Sequence, residues 1–239
     1  MLEAGLWALA AASTLVVGAV IGLAAKVPRR IVGLVMAFGV GALISALAFD
    51  LTEEAFRIGG TLPVAAGLGA GALTFYAGNQ LINQKRRGAK VSKPDGNGAA
   101  IVLGALLDGI PESIVLGSTL LAGAGISVPF LAAVAISNVP EALGSAADLR
   151  REGHRPGWIV GVWVAVAGVS ALAAAIGYGL LSEMTGSDWV PVIQAFAAGA
   201  ILTMLVDTMI PEAFADGGNQ VGLSTVLGFA AAFFLTKVG

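Results

Sequence analysis

Residues 37–60 have the sequence AFGVGALISALAFDLTEEAFRIGG, and residues 195–218 have the sequence AFAAGAILTMLVDTMIPEAFADGG. Aligned without a gap, the two stretches are identical at 10 of 24 positions, including the Glu-Ala-Phe triplet and the closing Gly-Gly pair. A shared content of alanine and glycine explains a few matches, but it does not place these two groups in register. The sequence therefore predicts an internal repeat whose copies are apolar segments with acidic ends.

The composition of the whole chain assigns both copies to a lipid environment. Of the 239 residues, 57% are hydrophobic and 12% are charged, and the mean hydropathy is +0.88. A water-soluble domain cannot keep so much apolar surface from solvent, so we predict an all-α integral membrane protein. The chain has no cysteine, which excludes disulfides and thiolate metal sites. Its 13 basic residues are spread over short loops, which argues against binding to nucleic acid.

Eight segments have the roughly 20 apolar residues that a helix needs to cross a bilayer. They cover residues 6–25, 31–56, 62–82, 99–121, 128–149, 158–181, 189–214 and 221–238, numbered here as spans 1 to 8. The first segment has no basic start and no clear cleavage site, so we interpret it as a retained helix rather than a signal peptide.

The repeat predicts how these spans are arranged. Spans 1–3 lie in residues 1–83 and spans 6–8 in residues 157–239, while spans 4 and 5 lie between them in residues 98–150. Span 2 and span 7 should cross the membrane in opposite directions, so the two groups of three are predicted to be inverted repeats. We predict one transmembrane domain over residues 1–239, arranged 3+2+3, a plan common in secondary transporters with a site near the midplane.

The distribution of lysine and arginine predicts the orientation. The loops after spans 1, 3 and 5 contain 11 of the 13 basic residues, and the other two are Arg57 and Lys237. By the positive-inside rule these three loops face the cytoplasm, which places both termini outside. We therefore expect a multi-pass protein of the cell (inner, cytoplasmic) membrane. The sequence leaves the oligomeric state open, a homodimer included.

The charged residues inside the predicted spans are acidic, apart from Lys237 at the end of span 8. The acids are Asp50, Glu53, Glu54, Asp108, Glu112, Glu141, Asp148, Asp207 and Glu212. A carboxylate near the middle of a bilayer costs about 3 kcal/mol or more on insertion scales, and no Lys, Arg or His lies within spans 2, 4, 5 or 7 to neutralise it. The deep acids are therefore expected either to be protonated or to share a bound cation.

Spacing favours the shared cation. Asp108 and Glu112 are four residues apart on span 4 and face one side of the helix, as Ser137 and Glu141 do on span 5. A proline precedes each glutamate and loosens the backbone of that turn. Two such turns offer four to six oxygen ligands, which suits a divalent cation. We predict a metal site formed by Asp108, Glu112, Ser137, Asn138, Glu141 and Asp207.

The motifs DGIPES, SNVPEA and VDTMIPEAF resemble the fourth-, fifth- and seventh-helix signatures of the ZIP (Zrt/Irt-like) divalent metal transporters. Those signatures are roughly His-Asn-x-Pro-Glu-Gly, Gln-Asn-x-Pro-Glu-Gly and Glu-Glu-x-x-Pro-Glu. The resemblance implies eight helices, inverted repeats, external termini and a metal centre, often binuclear, along the transport path. It places Asp108 at the histidine position and Glu112 at the bridging glutamate. Ser137, Asn138 and Glu141 take the fifth-helix positions, and Asp207 takes the first acid of the seventh helix.

Three departures from that pattern alter the expected chemistry. Asp108 stands in place of histidine, Gly109 in place of asparagine and Ser137 in place of glutamine. The ligand set becomes all oxygen, which suits manganese or iron, although carboxylates also bind zinc, the usual metal of the family. We expect one metal site, with the metal ion as substrate. His154 lies in a predicted cytoplasmic loop and is not expected to be a ligand.

Further residues are candidates for the path. Asp50, Glu53 and Glu54 near the outer end of span 2 could attract cations at an entrance, and Glu212, the repeat mate of Glu54, could serve the inner exit. The alternative interpretation of each is an interfacial acid in contact with water. Met204, one turn before Asp207, is a candidate soft ligand, and the alternative for this residue is packing in the core.

The predicted function is transport of divalent metal cations toward the cytoplasm, and no enzyme activity is expected. A metalloprotease would need His-Glu-x-x-His, which is absent, and hydrolysis by paired aspartates fits the Pro-Glu motifs less well than metal ligation does. Two other functions stay open. One is a proton-coupled carrier of another cation, which would use the same acids in protonated form, and the other is a membrane metal sensor that does not transport.

Overall fold

The computed structural model describes residues 1–88, 97–122, 125–183 and 189–238, and over these residues the chain is helical apart from short connections. The α-helices are α1 (Leu2–Ala24), α2 (Arg29–Ala46), α3 (Glu53–Gly59), α4 (Thr61–Gly88), α5 (Asn97–Thr119), α6 (Val128–Arg151), α7 (Pro156–Glu183), α8 (Trp189–Met204), α9 (Ile210–Gly217) and α10 (Val221–Val238). Two π-helical turns, Leu47–Thr52 and Leu205–Met209, join α2 to α3 and α8 to α9. The sequence prediction of an all-helical chain is confirmed for the described residues.

Five stretches of the described residues are long and apolar enough to cross a membrane. They are Leu2–Ala24, Arg29–Gly59, Val128–Arg151, Pro156–Glu183 and Trp189–Lys237. The last stretch has 49 residues and contains α8, α9 and α10, so it is longer than one crossing requires. The protein is thus a multi-pass helical membrane protein.

The two copies of the repeated segment have the same local structure. The alignment of residue 37 with residue 195 also aligns Leu47 with Leu205, and both residues begin a π-helical turn. The short helices that follow are capped at their C-terminal ends by Gly60 and Gly218, whose φ angles are 72° and 67°. Glycine adopts such positive φ angles without the steric cost that other residues meet, which explains why the Gly-Gly pair occurs in both copies.

Two helix pairs pack so closely that only glycine fits at the crossing. In the α4–α8 pair, a Cβ atom on Gly71 would clash with the Phe196 carbonyl oxygen. In the α2–α10 pair, a Cβ atom on Gly41 would clash with the Thr225 carbonyl oxygen. Small residues at such crossings let helix backbones approach each other, which is how helices associate in lipid.

A second set of helices packs around α1. This helix lies against α6 and α7, and α5 lies against α7. Gly18 and Gly22 bring α1 onto the backbone of α6 beside Val139 and Leu143. The helix α2 packs against this second set as well as against α10. A Cβ atom on Gly39 of α2 would lie 2.9 Å from Ser137 Cα of α6. Hence α6, which carries Glu141, is held between α1 and α2.

The ends of the helices are distinguished by charge. Arg29 at the start of α2 lies 3.6 Å from carboxylate oxygens of Asp148 on α6 and of Asp216 on α9. Arg151 also pairs with Asp148. We call this the basic end of the molecule. At the opposite end, Asp50 in the first π-helical turn accepts hydrogen bonds from Ser127 and Thr236.

A methyl group at the α4–α8 crossing should destabilise the protein. In Gly71→Ala the added Cβ meets the Phe196 carbonyl, so the helices must separate, and we expect the free energy of unfolding to fall by about 1–3 kcal/mol. The matched control is Gly69→Ala on the same helix, where a Cβ atom would have no neighbour within 4 Å. This control should be neutral or stabilising because alanine favours helix. Unfolding in detergent micelles measures both, and equal stability of the two variants would contradict the packing at Gly71.

Candidate functional site

The charges of four acidic residues act on one another. The charge of Glu141 on α6 interacts with those of Asp108 and Glu112 on α5 and of Glu212 on α9. Asp108 interacts in turn with Glu212, and Glu112 with Asp108. Glu112 is buried with 4% of its surface exposed, Asp108 and Glu141 are partly buried, and Glu212 stands at the accessible edge. We call these four residues the central acids.

Three of the central acids follow a proline, and the prolines have different surroundings. The helices α5 and α6 continue through Pro111 and Pro140 without a break. Pro211 instead lies in the first turn of α9, directly after the second π-helical turn. The backbone is helical from α8 through this turn into α9, so Pro211 also lies inside a continuous helical segment. The Pro-Glu pair therefore occurs in α5, in α6 and directly after the second π-helical turn.

Ser137 and Asn138, the polar residues predicted as ligands on α6, donate hydrogen bonds to backbone carbonyl groups. Ser137 is buried, and its Oγ donates a hydrogen bond of 3.0 Å to the Val134 carbonyl oxygen of its own helix. Its Cα and Cβ atoms face Gly39 of α2. Asn138 is also buried, and its Nδ2 donates to the Ala11 carbonyl oxygen of α1 at 3.2 Å. Helix packing therefore determines the hydrogen bonds that both side chains form.

Asp207 and Glu212, the two acids of the α8–α9 segment, had different predicted roles. Asp207, predicted as a ligand, is exposed within this turn, and Met204 just before it is buried with 1% of its surface exposed. Glu212, predicted as an exit residue, is the acid whose charge acts on Asp108 and Glu141. The sequence contained a signal for this role, since Glu212 follows a proline as Glu112 and Glu141 do.

The central acids are neighbours rather than a closed ligand set. Within the part of the chain that the structure describes, no three His, Asp or Glu side chains converge closely enough to hold a metal ion. Like charges in a medium of low dielectric repel each other, which keeps unliganded carboxylates apart. A cation bound here would have to draw these side chains together.

Beyond the central acids, Glu212 also interacts with charges at the basic end. The charges of Asp216, Asp148 and Arg29 all act on its carboxyl group. Arg29 is itself within 3.6 Å of oxygens on both aspartates. Glu212 therefore links the central acids to a cluster of charges on α2, α6 and α9 at the basic end.

The acids predicted as an entrance line one cavity at the opposite end. This cavity has a volume of about 320 Å³ and is lined by Asp50, Glu53 and Glu54. Arg57 holds Glu54 with two hydrogen bonds of 2.7 and 3.0 Å. Gln194 of α8 also lines the cavity, and its buried Oε1 has no hydrogen-bond partner among the described residues. The sequence analysis did not select Gln194, because an isolated glutamine in an apolar span has no spacing partner that would mark it.

Asp50 joins three parts of the molecule at this end. Its Oδ2 accepts a hydrogen bond of 2.5 Å from Ser127, whose Oγ also caps the start of α6 by accepting from the Phe130 N–H. Its Oδ1 accepts a hydrogen bond of 3.1 Å from Thr236 on α10. The first π-helical turn is therefore tied to both α6 and α10.

The chain is similar to a distantly related protein. No protein-family model matches the chain. The chain is similar to a protein of Arabidopsis thaliana described as "Putative zinc transporter", with 26% identity over 235 residues. The match covers 95% of this chain and 37% of that protein, so the chain spans little more than a third of the length of its relative.

Loss of the Asp50 carboxylate should loosen the end of the molecule opposite the basic end. Asp50→Ala leaves the hydroxyls of Ser127 and Thr236 without their acceptor, so we expect the free energy of unfolding to fall by about 1–3 kcal/mol. Glu53→Ala is the control, because Glu53 lines the same cavity but is exposed, and it should change stability by less than about 0.5 kcal/mol. Thermal unfolding in detergent distinguishes the two, and an equal loss in both variants would rule out a specific role for Asp50.

Proposed function

We propose that this protein transports divalent metal cations across a membrane, with zinc as the first candidate. The observation that carries the proposal is that the charges of Asp108, Glu112, Glu141 and Glu212, on three helices of an apolar protein, act on one another. No basic residue lies within the segments that carry Asp108, Glu112 and Glu141 in the predicted spans. A divalent cation would supply the charge that this group lacks.

The donor atoms limit the choice of cation. Carboxylate oxygens bind zinc, manganese and iron(II), and an all-oxygen set suits manganese and iron better than a site with imidazole does. The similarity to a protein described as a zinc transporter favours zinc. The resemblance to the ZIP motifs points to the same class of substrate. We therefore place zinc first and manganese or iron second, and we propose that no chemical reaction is catalysed.

The architecture that we propose is eight transmembrane helices arranged 3+2+3, with α1–α4 and α7–α10 as inverted repeats around α5 and α6. Two observations support it. The π-helical turns and the terminal glycines Gly60 and Gly218 occur at matching positions of the two copies. The close pairs α4–α8 and α2–α10 are also exchanged by the repeat, as are α1–α6 and α7–α5. A pseudo-twofold axis passing between α5 and α6 accounts for both.

We propose a path that begins at the cavity with Asp50 and Glu53, continues between the central acids and leaves beside Glu212 at the basic end. The positive-inside rule places the basic end in the cytoplasm and both termini outside. A membrane potential that is negative inside favours inward movement by about 2.3 kcal/mol per charge per 100 mV. A shift of one group of helices against the other would open the central acids to each side in turn, as in other transporters built from repeats.

Removal of a central carboxylate should abolish metal transport. In proteoliposomes loaded with a fluorescent indicator, we expect the protein to take up zinc, manganese, iron(II) or cadmium, and magnesium least. Glu112→Gln and Glu141→Gln keep the size of the side chain but remove its charge. They should reduce uptake at least about tenfold, because an interaction with a charged group contributes about 1.5–3 kcal/mol.

The control for this experiment is Glu3→Gln at the start of α1, which removes a carboxylate far from the central acids in sequence. It should transport as the wild type does. Uptake by both glutamine variants at the rate of the wild type would refute the site, and absence of any metal uptake by the wild type would refute the function.

A second pair of variants decides which acid of the α8–α9 segment takes part. Because the charge of Glu212 acts on Asp108 and Glu141 while Asp207 is exposed, Glu212→Gln should reduce uptake and Asp207→Asn should not. The ZIP motif gives the opposite ranking, since it places the first acid of this segment in the site. A larger loss in Asp207→Asn than in Glu212→Gln would therefore restore the ranking from the sequence.

One observation favours an alternative function. The central acids do not form a closed ligand set among the described residues, as expected if they bind protons rather than metal. A proton-coupled carrier of another cation would use them in that way. It predicts acidification of the liposome lumen without any metal present, whereas a sensor predicts metal binding without uptake. The same proteoliposomes, loaded with a pH indicator, separate these functions from metal transport.

A further inference from the structure

A small cavity lies behind Glu112, on the side of α5 that faces α1 and α7. Its volume is about 10 Å³, close to the smallest that holds one water molecule. Four residues with polar side chains line it, namely Glu112, Ser113, Asn138 and Ser170, and the remaining lining is mainly apolar side chains of α1 and α5. A cavity with several polar groups and room for one water is the kind that holds an ordered water molecule in proteins.

Ser170 on α7 has a polar atom that needs a partner. The residue has 1% of its surface exposed, and its Oγ makes no hydrogen bond to any residue that the structure describes. A buried hydroxyl without a partner destabilises the folded state, so such groups are nearly always bonded to protein or to ordered water. The cavity beside Ser170 is therefore where its partner should lie.

The other polar groups of the cavity can complete the bonding of a water molecule. Asn138 uses its Nδ2 to donate to the Ala11 carbonyl, which leaves its Oδ1 free to accept. Glu112 brings carboxylate oxygens that also accept. A water molecule could accept from the Ser170 hydroxyl and donate to Glu112 and to Asn138. Three bonds of this kind are typical of a buried water.

Gly109 makes the space for this arrangement. A Cβ atom on Gly109 would lie 3.1 Å from Ser170 Oγ, so a larger side chain at position 109 would fill the region in front of the hydroxyl. The Ser170 hydroxyl therefore lies beside the space that a side chain at position 109 would occupy. The polar group at this point is supplied by α7, because Gly109 of α5 has no side chain.

We propose that Ser170, Glu112 and Asn138 hold one water molecule, and that this water orients the Glu112 carboxylate toward the cation. Ser170 is then a positioning residue of the central acids, although it does not touch the metal. This inference rests on the proposed metal transport. Partners of this kind fix the direction of a ligand oxygen, and their loss typically weakens metal binding by about 10- to 100-fold.

Zinc binding by the purified protein in detergent tests this role. Ser170→Ala should weaken zinc binding about tenfold and leave the unfolding midpoint unchanged or higher. Ser45→Ala is the matched control, because Ser45 Oγ is equally buried and has no partner among the described residues, but it lies on α2 outside the cavity. The control should bind zinc as the wild type does.

A rescue variant separates positioning from general damage. In Ser170→Ala combined with Gly109→Ser, a hydroxyl returns to the same space from the opposite wall, and zinc affinity should recover to within about twofold of the wild type. Unchanged affinity in Ser170→Ala, an equal loss in Ser45→Ala or failure of the rescue would each overturn the proposal.

A high-resolution density map tests the water independently of metal binding. We expect one peak within hydrogen-bonding distance of Ser170 Oγ and a Glu112 oxygen, and an empty cavity would overturn the proposal even if zinc is transported. If the wild type binds no zinc, the proposed function fails together with the role of the water in it. The two failures are therefore distinguished by the affinity of the wild type.

Discussion

The burial of acidic groups without basic partners is the constraint on which the rest of this structure depends. Asp108, Glu112 and Glu141 lie on α5 and α6, and their charges act on one another rather than on a lysine or arginine. In an apolar environment such groups repel each other and are costly to ionise, so they persist only where the protein holds them together. The glycine crossings hold α6 and its Glu141 in place, because they fix α1 against α6 and join α6 to α2 with almost no space between the backbones.

The π-helical turns complement this rigid packing. Both lie directly before a short helix that ends in a glycine with positive φ, and both contain an acid, Asp50 in one copy and Asp207 in the other. Such turns insert one residue into a helix, and they are frequent at functional sites because they interrupt the regular hydrogen bonding. At the first turn the interruption is stabilised by Ser127 and Thr236, which bond to Asp50. In the second turn Asp207 is exposed. Both copies of the repeat therefore have the same irregular backbone turn, but the surroundings of the acid in that turn differ between the copies.

The sequence predicted the local features better than the assembly of the site. The Glu-Ala-Phe and Gly-Gly matches correspond to helices that end in the same way, because backbone conformation at a glycine depends on nearby residues. The four-residue spacing of Asp108 and Glu112 also predicted a shared helix face, and their charges do interact. The spacing could not predict which neighbour each face meets.

Three features of the structure around the predicted site have a physical reason that the sequence alone does not show. Ser137 and Asn138 bond toward Val134 and Ala11, because close packing against α2 and α1 orients their side chains. Asp207 is five residues before Glu212 rather than four, and the π-helical turn between α8 and α9 changes the face on which it lies. Ser170 has no motif around it, so only its position opposite Gly109 marks it. The first and third features depend on contacts between helices and the second on an irregular turn of the backbone, and a single sequence specifies neither.

Glu212 interacts with two groups of charges, one among the central acids and one at the basic end. Its carboxyl group interacts with Asp108 and Glu141 on one side and with Asp216, Asp148 and Arg29 on the other. At the opposite end Glu54 is held by Arg57, and Asp50 is held by two hydroxyl groups. A cation among the central acids would thus meet further carboxylates toward the basic end, where Asp148 and Asp216 are paired with Arg29, as Glu54 is paired with Arg57 in the opposite cavity. Arg29 adds a positive charge at the basic end, where it competes with a cation for the same two aspartates. In the proposed transport this competition favours release, because the carboxylates at the end of the path regain an internal partner when the metal leaves.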